Sequence, residues 1–327
     1  MDTLRGLVRD LTSLLPAKVR RVNTNKPKAS RSAAPGSATP STSTSNANNY
    51  QKTSTLTHAA LAKDVLQHAD HRLCTVKPLS IEVEDSRGGE VAGLLHLPSD
   101  YEAAENTKRN NIAAILLSGA GGGVVGPSSI YLSMADKLAS MRRGIPVLRL
   151  DYRYPARNEY CVRDVCAGMD MLQKDYGVGR FILVGWSFGG APVFTVGGAE
   201  KERVLGCATV ASQTDGTYGI KDLSPRPVLL LHGTADGILS PGSSEHLYRT
   251  YGAGGDRTLH LFEGDDHALT RNALEAEEML CRFIMKCAGE DIAAGESGVL
   301  KQELVGEGDR IELMKKGGDL DRPENAD

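Results

Sequence analysis

The sequence predicts an α/β domain with a mostly parallel central sheet, antiparallel strands leading it and helices on both faces. Three observations carry that prediction. Short apolar runs alternate with segments of helical periodicity, and a pair of alternating apolar–polar runs precedes them. One strand-to-helix junction also holds the pentapeptide Gly185-Trp186-Ser187-Phe188-Gly189.

The elements follow in order. Leu79-Ser80-Ile81-Glu82-Val83-Glu84 alternates as a half-solvated strand must, and Val91 to Leu97 pairs with it across Arg87-Gly88-Gly89, which predicts an opening hairpin. The runs Ile112 to Leu117, Ile145 to Leu150, Phe181 to Gly185, Val204 to Ala211, Pro227 to Leu231 and Thr258 to Phe262 are short and apolar, as strands buried on both faces are. Helical patterns cover Ser129 to Met141, Glu159 to Tyr176, Ser187 to Gly197, Ser243 to Tyr251 and Arg271 to Cys287. In the second of these, Val162, Val165, Cys166, Met169 and Leu172 share one face, a packing stripe.

Composition bounds the function. A net charge of -3 over 327 residues gives no general attraction to nucleic acid. No apolar segment approaches the ~20 residues of a membrane-spanning helix. The cysteines at 74, 161, 166, 207, 281 and 287 form no CxxC pair or zinc-type cluster, so no metal is expected, and without a secretory h-region the thiols are expected to stay reduced.

The ends differ from the middle. Residues 29 to 57 are dominated by Ser, Thr, Asn, Ala and Pro, which predicts a disordered linker. Before it, Leu4, Leu7, Val8, Leu11 and Leu15 fall at helical spacing beside Arg5 and Arg9, with no acidic residue from Leu11 through Lys63. That pattern reads as a basic flexible arm on a cytoplasmic protein or, against Asp2 and Asp10, as a mitochondrial or plastid transit peptide. The expected organisation is an arm and linker over 1–57, the α/β domain over 58–288, and an acidic, partly disordered, solvated tail over 289–327.

The pentapeptide carries chemistry because of its setting. Glycines flank Ser187 at the positions where a β-carbon would collide in a strained strand-to-helix turn, and the following helix start aims the Phe188 N–H at a developing oxyanion. A serine hydroxyl needs a base and a carboxylate to orient that base. Asp236 follows the Val228 to Leu231 run in His232-Gly233-Thr234-Ala235-Asp236, and His267 follows the last strand in Gly264-Asp265-Asp266-His267. Asp215, after the preceding strand, is the rival acid. Asp265 and Asp266 read as solvated loop carboxylates, His232 as a packed strand-end residue and Trp186 as half-buried. Arg149 and Arg153 are candidates for a substrate carboxylate or, preferentially, for an internal salt bridge with Asp151.

On these three motifs, in the order nucleophile, acid, base, residues 79 to 287 resemble an α/β-hydrolase. The resemblance implies Ser187 as nucleophile, Asp236 as orienting carboxylate, His267 as general acid–base, and Phe188 as one oxyanion donor. The second donor would come from Ser118-Gly119-Ala120-Gly121-Gly122-Gly123 as the N–H of Ala120 or Gly121, although many members have His-Gly where this chain has Ser118-Gly119. A phosphate cradle is disfavoured because Gly-Lys-Ser/Thr is absent. Within the superfamily the chain is most similar to the small dienelactone-hydrolase-like branch, but those enzymes carry a cysteine at the elbow and this chain a serine. Only Ser212 to Arg226 separate two strands, leaving no room for a lid domain, so the site is expected to be open.

The expected function is hydrolysis of an ester, thioester or related small acyl substrate through an acyl-enzyme on Ser187, a carboxylic ester hydrolase needing no cofactor. The alternatives are a serine peptidase or acyltransferase using the same triad, or a non-catalytic scaffold of hydrolase fold.

Overall fold

The computed structural model of the protein describes residues 74–101 and 111–321. The N-terminal arm, its linker and any transit segment lie outside the described residues. Eight strands form one sheet in the order β1-β2-β4-β3-β5-β6-β7-β8. β1 (Thr75–Glu82) and β2 (Glu90–Leu97) form the expected antiparallel pair, in register from Thr75 opposite Leu97 to Glu82 opposite Glu90. β2 also runs antiparallel to β4 (Val147–Leu150). β3 (Ile112–Leu117), β4, β5 (Arg180–Trp186), β6 (Val204–Val210), β7 (Val228–Gly233) and β8 (Arg257–Phe262) are mutually parallel.

Period-two alternation divides the core. In β3, Ala114 and Leu116 face one apolar layer, while Ala113, Ile115 and Leu117 face the other. The first layer is closed by α1 (Ile130–Ser140), through Met134 and Leu138, and by α5 (Ala273–Ala288), through Leu280 and Ile284. The second layer is closed by α2 (Asn158–Tyr176), α3 (Gly190–Ala199) and α4 (Gly242–Tyr251), through Val165, Met169, Val193, Phe194 and Leu247. Each fully buried Leu or Ile contributes roughly 1.5–3 kcal/mol, so this two-sided burial dominates the stability of the sheet.

Local chemistry shifts two strand starts. β4 begins two residues later than its apolar run, since Pro146 has no N–H to donate to the ladder. β1 begins earlier and runs through Pro78, which an edge strand tolerates.

The segment after Ala288 departs furthest from expectation. Rather than a solvated tail, residues 289–321 form α6 (Ser297–Leu300) and α7 (Arg310–Gly317), with Val299, Leu300, Leu304, Val305 and Met314 buried. Leu300, Val305 and Met314 join the layer beneath α1 and α5. Leu300 also accepts a 3.2 Å hydrogen bond from Lys137 Nζ, which pairs with Glu277 at 2.7 Å in the interior. The periodic stretches here, Val299 to Val305 and Ile311 to Met314, are short, and their buried residues pack against a surface the domain already supplies.

Candidate active site

Ser187 closes β5 in left-handed backbone, with φ of 53°. Such a conformation costs a residue other than glycine of order 1–3 kcal/mol and persists only where the surroundings enforce it. The two glycines make the turn possible. A β-carbon on Gly185 would lie 2.4 Å from the Gly189 carbonyl oxygen, and one on Gly189 would lie 2.6 Å from that of Ser118. Ser187 to Gly189 form a 3-10 turn that runs directly into α3, so the Phe188 N–H belongs to the helix start, where intrahelical acceptors are missing.

Asp236 lies in the loop leaving β7. Its Oδ1 accepts the N–H groups of Ile238 at 2.8 Å and Leu239 at 2.9 Å, a turn that fixes the carboxylate plane. Its Oδ2 meets His267 Nδ1 at 2.7 Å and His232 Nε2 at 3.0 Å. Burial alone would raise this carboxyl, but hydrogen bonds from His232 and His267 outweigh it and hold the group well below the usual carboxylate range. His267 donates through Nδ1, so its neutral ring turns the Nε2 lone pair away from the acid. That Nε2 is buried and meets no partner among the described residues. Asp236 is the carboxylate that meets His267, whereas Asp215 is exposed and its carbonyl accepts from Gln213 Nε2 at 2.9 Å.

Several residues given minor parts by the sequence reading hold this arrangement. His232 is a donor to Asp236 and not merely a packed strand end: its Nε2 faces two acceptors, Asp236 Oδ2 and the Leu239 carbonyl at 3.1 Å, so it carries the proton. Asp265 is fully buried rather than solvated, and accepts from the N–H groups of Asp266, Arg271 and Asn272 and from Asn272 Nδ2, which shapes the His267 loop. Asp266 is exposed as expected and ties Ala268 and Thr270 to the same loop. Trp186 is buried, not half-buried, and its Nε1 donates to the His267 carbonyl at 3.1 Å. A buried loop carboxylate or strand-end histidine has no sequence signature separating it from a solvated one.

The glycine-rich loop turns sharply after β3. Gly122 N–H donates to the Gly119 carbonyl at 3.1 Å, and Gly123 N–H donates to Asp151 at 2.8 Å, with φ of 81° and 91° at the two glycines. Among the described residues the N–H groups of Ala120 and Gly121, at the tip of this turn, meet no acceptor. The expected openness needs correction. No lid domain is inserted between β6 and β7, which are joined through a 3-10 turn at Tyr218–Asp222, yet Ser187 is only 3% and His267 only 7% exposed. Ser128 Oγ donates to the Ala268 carbonyl at 2.8 Å and ties the segment after the glycine-rich loop to the His267 loop.

Both arginines are buried and held by partners within the chain, and neither bridges to Asp151. Arg153 is held by Asp85 at 2.7 Å and Asp164 at 2.5 Å, while Asp151 accepts the backbone N–H groups of Gly123 and Tyr152. Arg149 is buried and donates to His96 Nε2 and the Val124 carbonyl, each at 3.0 Å. That contact also bears on a cluster of Cys74, His96 and Asp136, whose ligand-type atoms lie within 4.8 Å of one another. With Nε2 accepting from a guanidinium, His96 must donate through Nδ1 to Asp136 Oδ1 at 2.6 Å, so both ring nitrogens are committed to hydrogen bonds. Burial and the Asp136 carboxylate raise the Cys74 thiol far from thiolate formation. In this structure the three side chains form a hydrogen-bonded core network.

The family described as alpha/beta hydrolase fold matches residues 115–253. Among solved structures, Est1E from Butyrivibrio proteoclasticus aligns with a TM-score of 0.51 at 16% identity, covering 64% of this chain and 99% of its own. Dienelactone hydrolase from Anabaena variabilis aligns at 0.52 and 16%, covering 65% and 98% respectively. The esterase domain of a Rhodothermus marinus protein aligns at 0.50 and 18%, again covering 65% and 98%. No curated protein matches the sequence. No described helix is long and apolar enough to cross a membrane.

Proposed function

The chain has the α/β-hydrolase fold, and from the site it carries we propose that it is a serine hydrolase acting on small carboxylic esters, thioesters or related acyl compounds. The observation that carries this reading is the 2.7 Å contact of His267 Nδ1 with Asp236 Oδ2, which leaves the His267 Nε2 lone pair for a proton. Ser187 Oγ attacks the substrate carbonyl carbon as Nε2 takes the hydroxyl proton, and Asp236 stabilises the imidazolium so formed. The oxyanion is stabilised by the Phe188 N–H and by that of Ala120 or Gly121. Collapse of the tetrahedral species expels the alcohol or thiol, which leaves with the proton from His267 and an acyl group on Ser187. Water, deprotonated by the same Nε2, then attacks the acyl carbon, and the acid departs as Ser187 regains its proton.

The substrate class draws on the ligand of one neighbour and on the shape of this chain around Ser187. Est1E has been solved with ferulic acid, a compact aromatic acid, bound. In this chain the short β6–β7 connection and the nearly buried nucleophile favour a compact acyl group over a polypeptide. A peptidase or acyltransferase would use the same three residues with another leaving group or acceptor.

Labelling with a fluorophosphonate probe, with heat-denatured protein as control, tests the reading. Wild type should label and hydrolyse a short p-nitrophenyl ester, and Ser187→Ala should lose labelling and at least about 10⁴-fold in kcat at unchanged melting temperature. Turnover retained in Ser187→Ala removes Ser187 from the mechanism. Folded wild type that neither labels nor turns over a panel of esters and thioesters favours the non-catalytic alternative.

A further inference from the structure

The C-terminal segment reaches the oxyanion side of the site through one side chain. Asp319, just beyond α7, is fully buried. Its Oδ1 accepts from Ser118 Oγ at 2.5 Å and from Gly126 N–H at 2.8 Å, and its Oδ2 from Val125 N–H at 3.0 Å and Val124 N–H at 3.2 Å. Ser118 is the first residue after β3, and Val124 to Gly126 end the glycine-rich loop. One carboxylate thus holds both stems of the loop that carries Ala120 and Gly121.

The fit is specific in three ways. Consecutive N–H groups converge on one anion, an arrangement that backbone adopts where it binds negative charge. Gly123 makes room for it, since a β-carbon there would lie 2.4 Å from Asp319 N and 2.6 Å from its Cγ. From the opposite side, Arg149 donates to the Val124 carbonyl, so the Val124 residue is gripped at its N–H by a carboxyl and at its C=O by a guanidinium. The segment bearing Asp319 is itself docked: Ser129 Oγ donates to the Arg310 carbonyl at 2.7 Å, and Arg310 Nη1 donates to the Thr270 carbonyl at 3.0 Å. An apolar residue would cover this surface without the desolvation that a buried carboxylate requires, and it would leave the Ser118 hydroxyl and three N–H groups without acceptors.

We propose that Asp319 is a positioning residue for the oxyanion hole: it holds the Ser118–Gly126 backbone in the curve that presents the Ala120 or Gly121 N–H to the substrate carbonyl oxygen opposite Phe188. The segment 289–321 is then part of the active site. This rests on the serine-hydrolase reading and adds a supporting residue far from the triad in sequence. Oxyanion contacts strengthen as the carbonyl becomes tetrahedral, so a misplaced loop lowers kcat and leaves KM largely intact.

The test uses the full-length chain with Asp319→Ala and the isosteric Asp319→Asn, which decides the case should the alanine variant not fold. Fluorophosphonate labelling and p-nitrophenyl acetate turnover are measured first on wild type. The expected outcome is a kcat about 10²-fold lower in Asp319→Ala and about 10-fold lower in Asp319→Asn, where one oxygen still accepts, with KM within about threefold of wild type. Amide hydrogen exchange should quicken at Val124, Val125 and Gly126 while β5 and α3 stay protected. An active wild type whose Asp319 variants keep kcat within about twofold, or lose activity only in proportion to their folded fraction, or keep their exchange pattern over 118–126, overturns the inference and leaves the hydrolase reading standing. A wild type that neither labels nor hydrolyses esters overturns the hydrolase reading, and this inference with it.

Discussion

Two carboxylates brace the two sides of the site, and they do so by opposite physics. Asp236 lies 31 residues from its histidine partner, faces two imidazoles and is held well below the usual carboxylate range. Asp319 lies 201 residues from Ser118, accepts from one hydroxyl and three backbone N–H groups, and is pushed up to about 7 by burial. In the proposed mechanism the first carries the charge that an imidazolium needs. The second shapes backbone. A carboxylate beside an active-site loop is therefore assigned its part by its donors rather than by its proximity to the chemistry.

The largest effect that would break this comparison lies on the acid side. Asp236→Asn should lower kcat by about 10³–10⁴-fold, because an amide neither fixes the His267 tautomer nor stabilises the imidazolium. Asp215→Ala should stay within about twofold of wild type, since that residue is exposed and apart from His267. Steady-state kinetics on one ester decides it, and reversed effects would move the acid to the loop after β6.

A smaller effect sharpens the same side. His232 supplies a second hydrogen bond to the oxygen that His267 uses, and its own Nδ1 lies 2.7 Å from Ser244 Oγ. His232→Ala should reduce kcat by about tenfold with little change in KM, and His232→Gln should recover part of the loss because its amide can still donate to Asp236. A change below about twofold in the alanine variant would mean that the Ile238 and Leu239 N–H groups alone orient the carboxylate.

This contrast also explains what the sequence could disclose. The parallel strands were legible because each is a short apolar run, and the elbow because Gly185 and Gly189 are demanded by contacts within the turn itself. The meeting of Asp236 with His267 was legible because each follows a strand within a few residues, so topology alone brings them to one edge of the sheet. Asp319 has no such anchor. It follows a helix of mixed composition, and its partners lie at the far end of the chain's contact range, where only tertiary packing joins them. Val299 to Val305 and Ile311 to Met314 were visible as short periodic stretches in a segment rich in Gly, Asp and Glu, too short to show which of their residues are buried. His232 and Asp265 failed for another reason: each residue type is common on surfaces and in networks alike, and burial decides between the two.

The smallest expected effect separates the two carboxylates by the sign of their pH linkage. Asp236 has a folded pKa below the unfolded value of about 3.9, so its contribution to stability is complete above about pH 4 and is lost only as pH falls toward the folded value. Asp319 has a folded pKa raised from that value to about 7, so between about pH 4 and 7 the folded chain binds a proton that the unfolded chain has released, and stability falls as pH rises. Its surroundings are mixed: the Asp151 carboxylate opposes ionisation, the buried Arg149 guanidinium favours it, and the buried Tyr131 phenol lies within electrostatic reach. Urea unfolding of wild type, Asp236→Asn and Asp319→Asn from pH 4.5 to 8 should therefore show the wild type's stability relative to Asp319→Asn declining up to about pH 7 and level beyond it. The slope cannot exceed about 1.4 kcal/mol per pH unit for one group. Over the same range the difference from Asp236→Asn should stay flat as far as the Asp236 carboxyl is concerned. A flat difference for Asp319→Asn would mean that its four donors outweigh burial and hold the carboxylate ionised, which would make the two braces electrostatically alike and leave only their geometry to tell them apart.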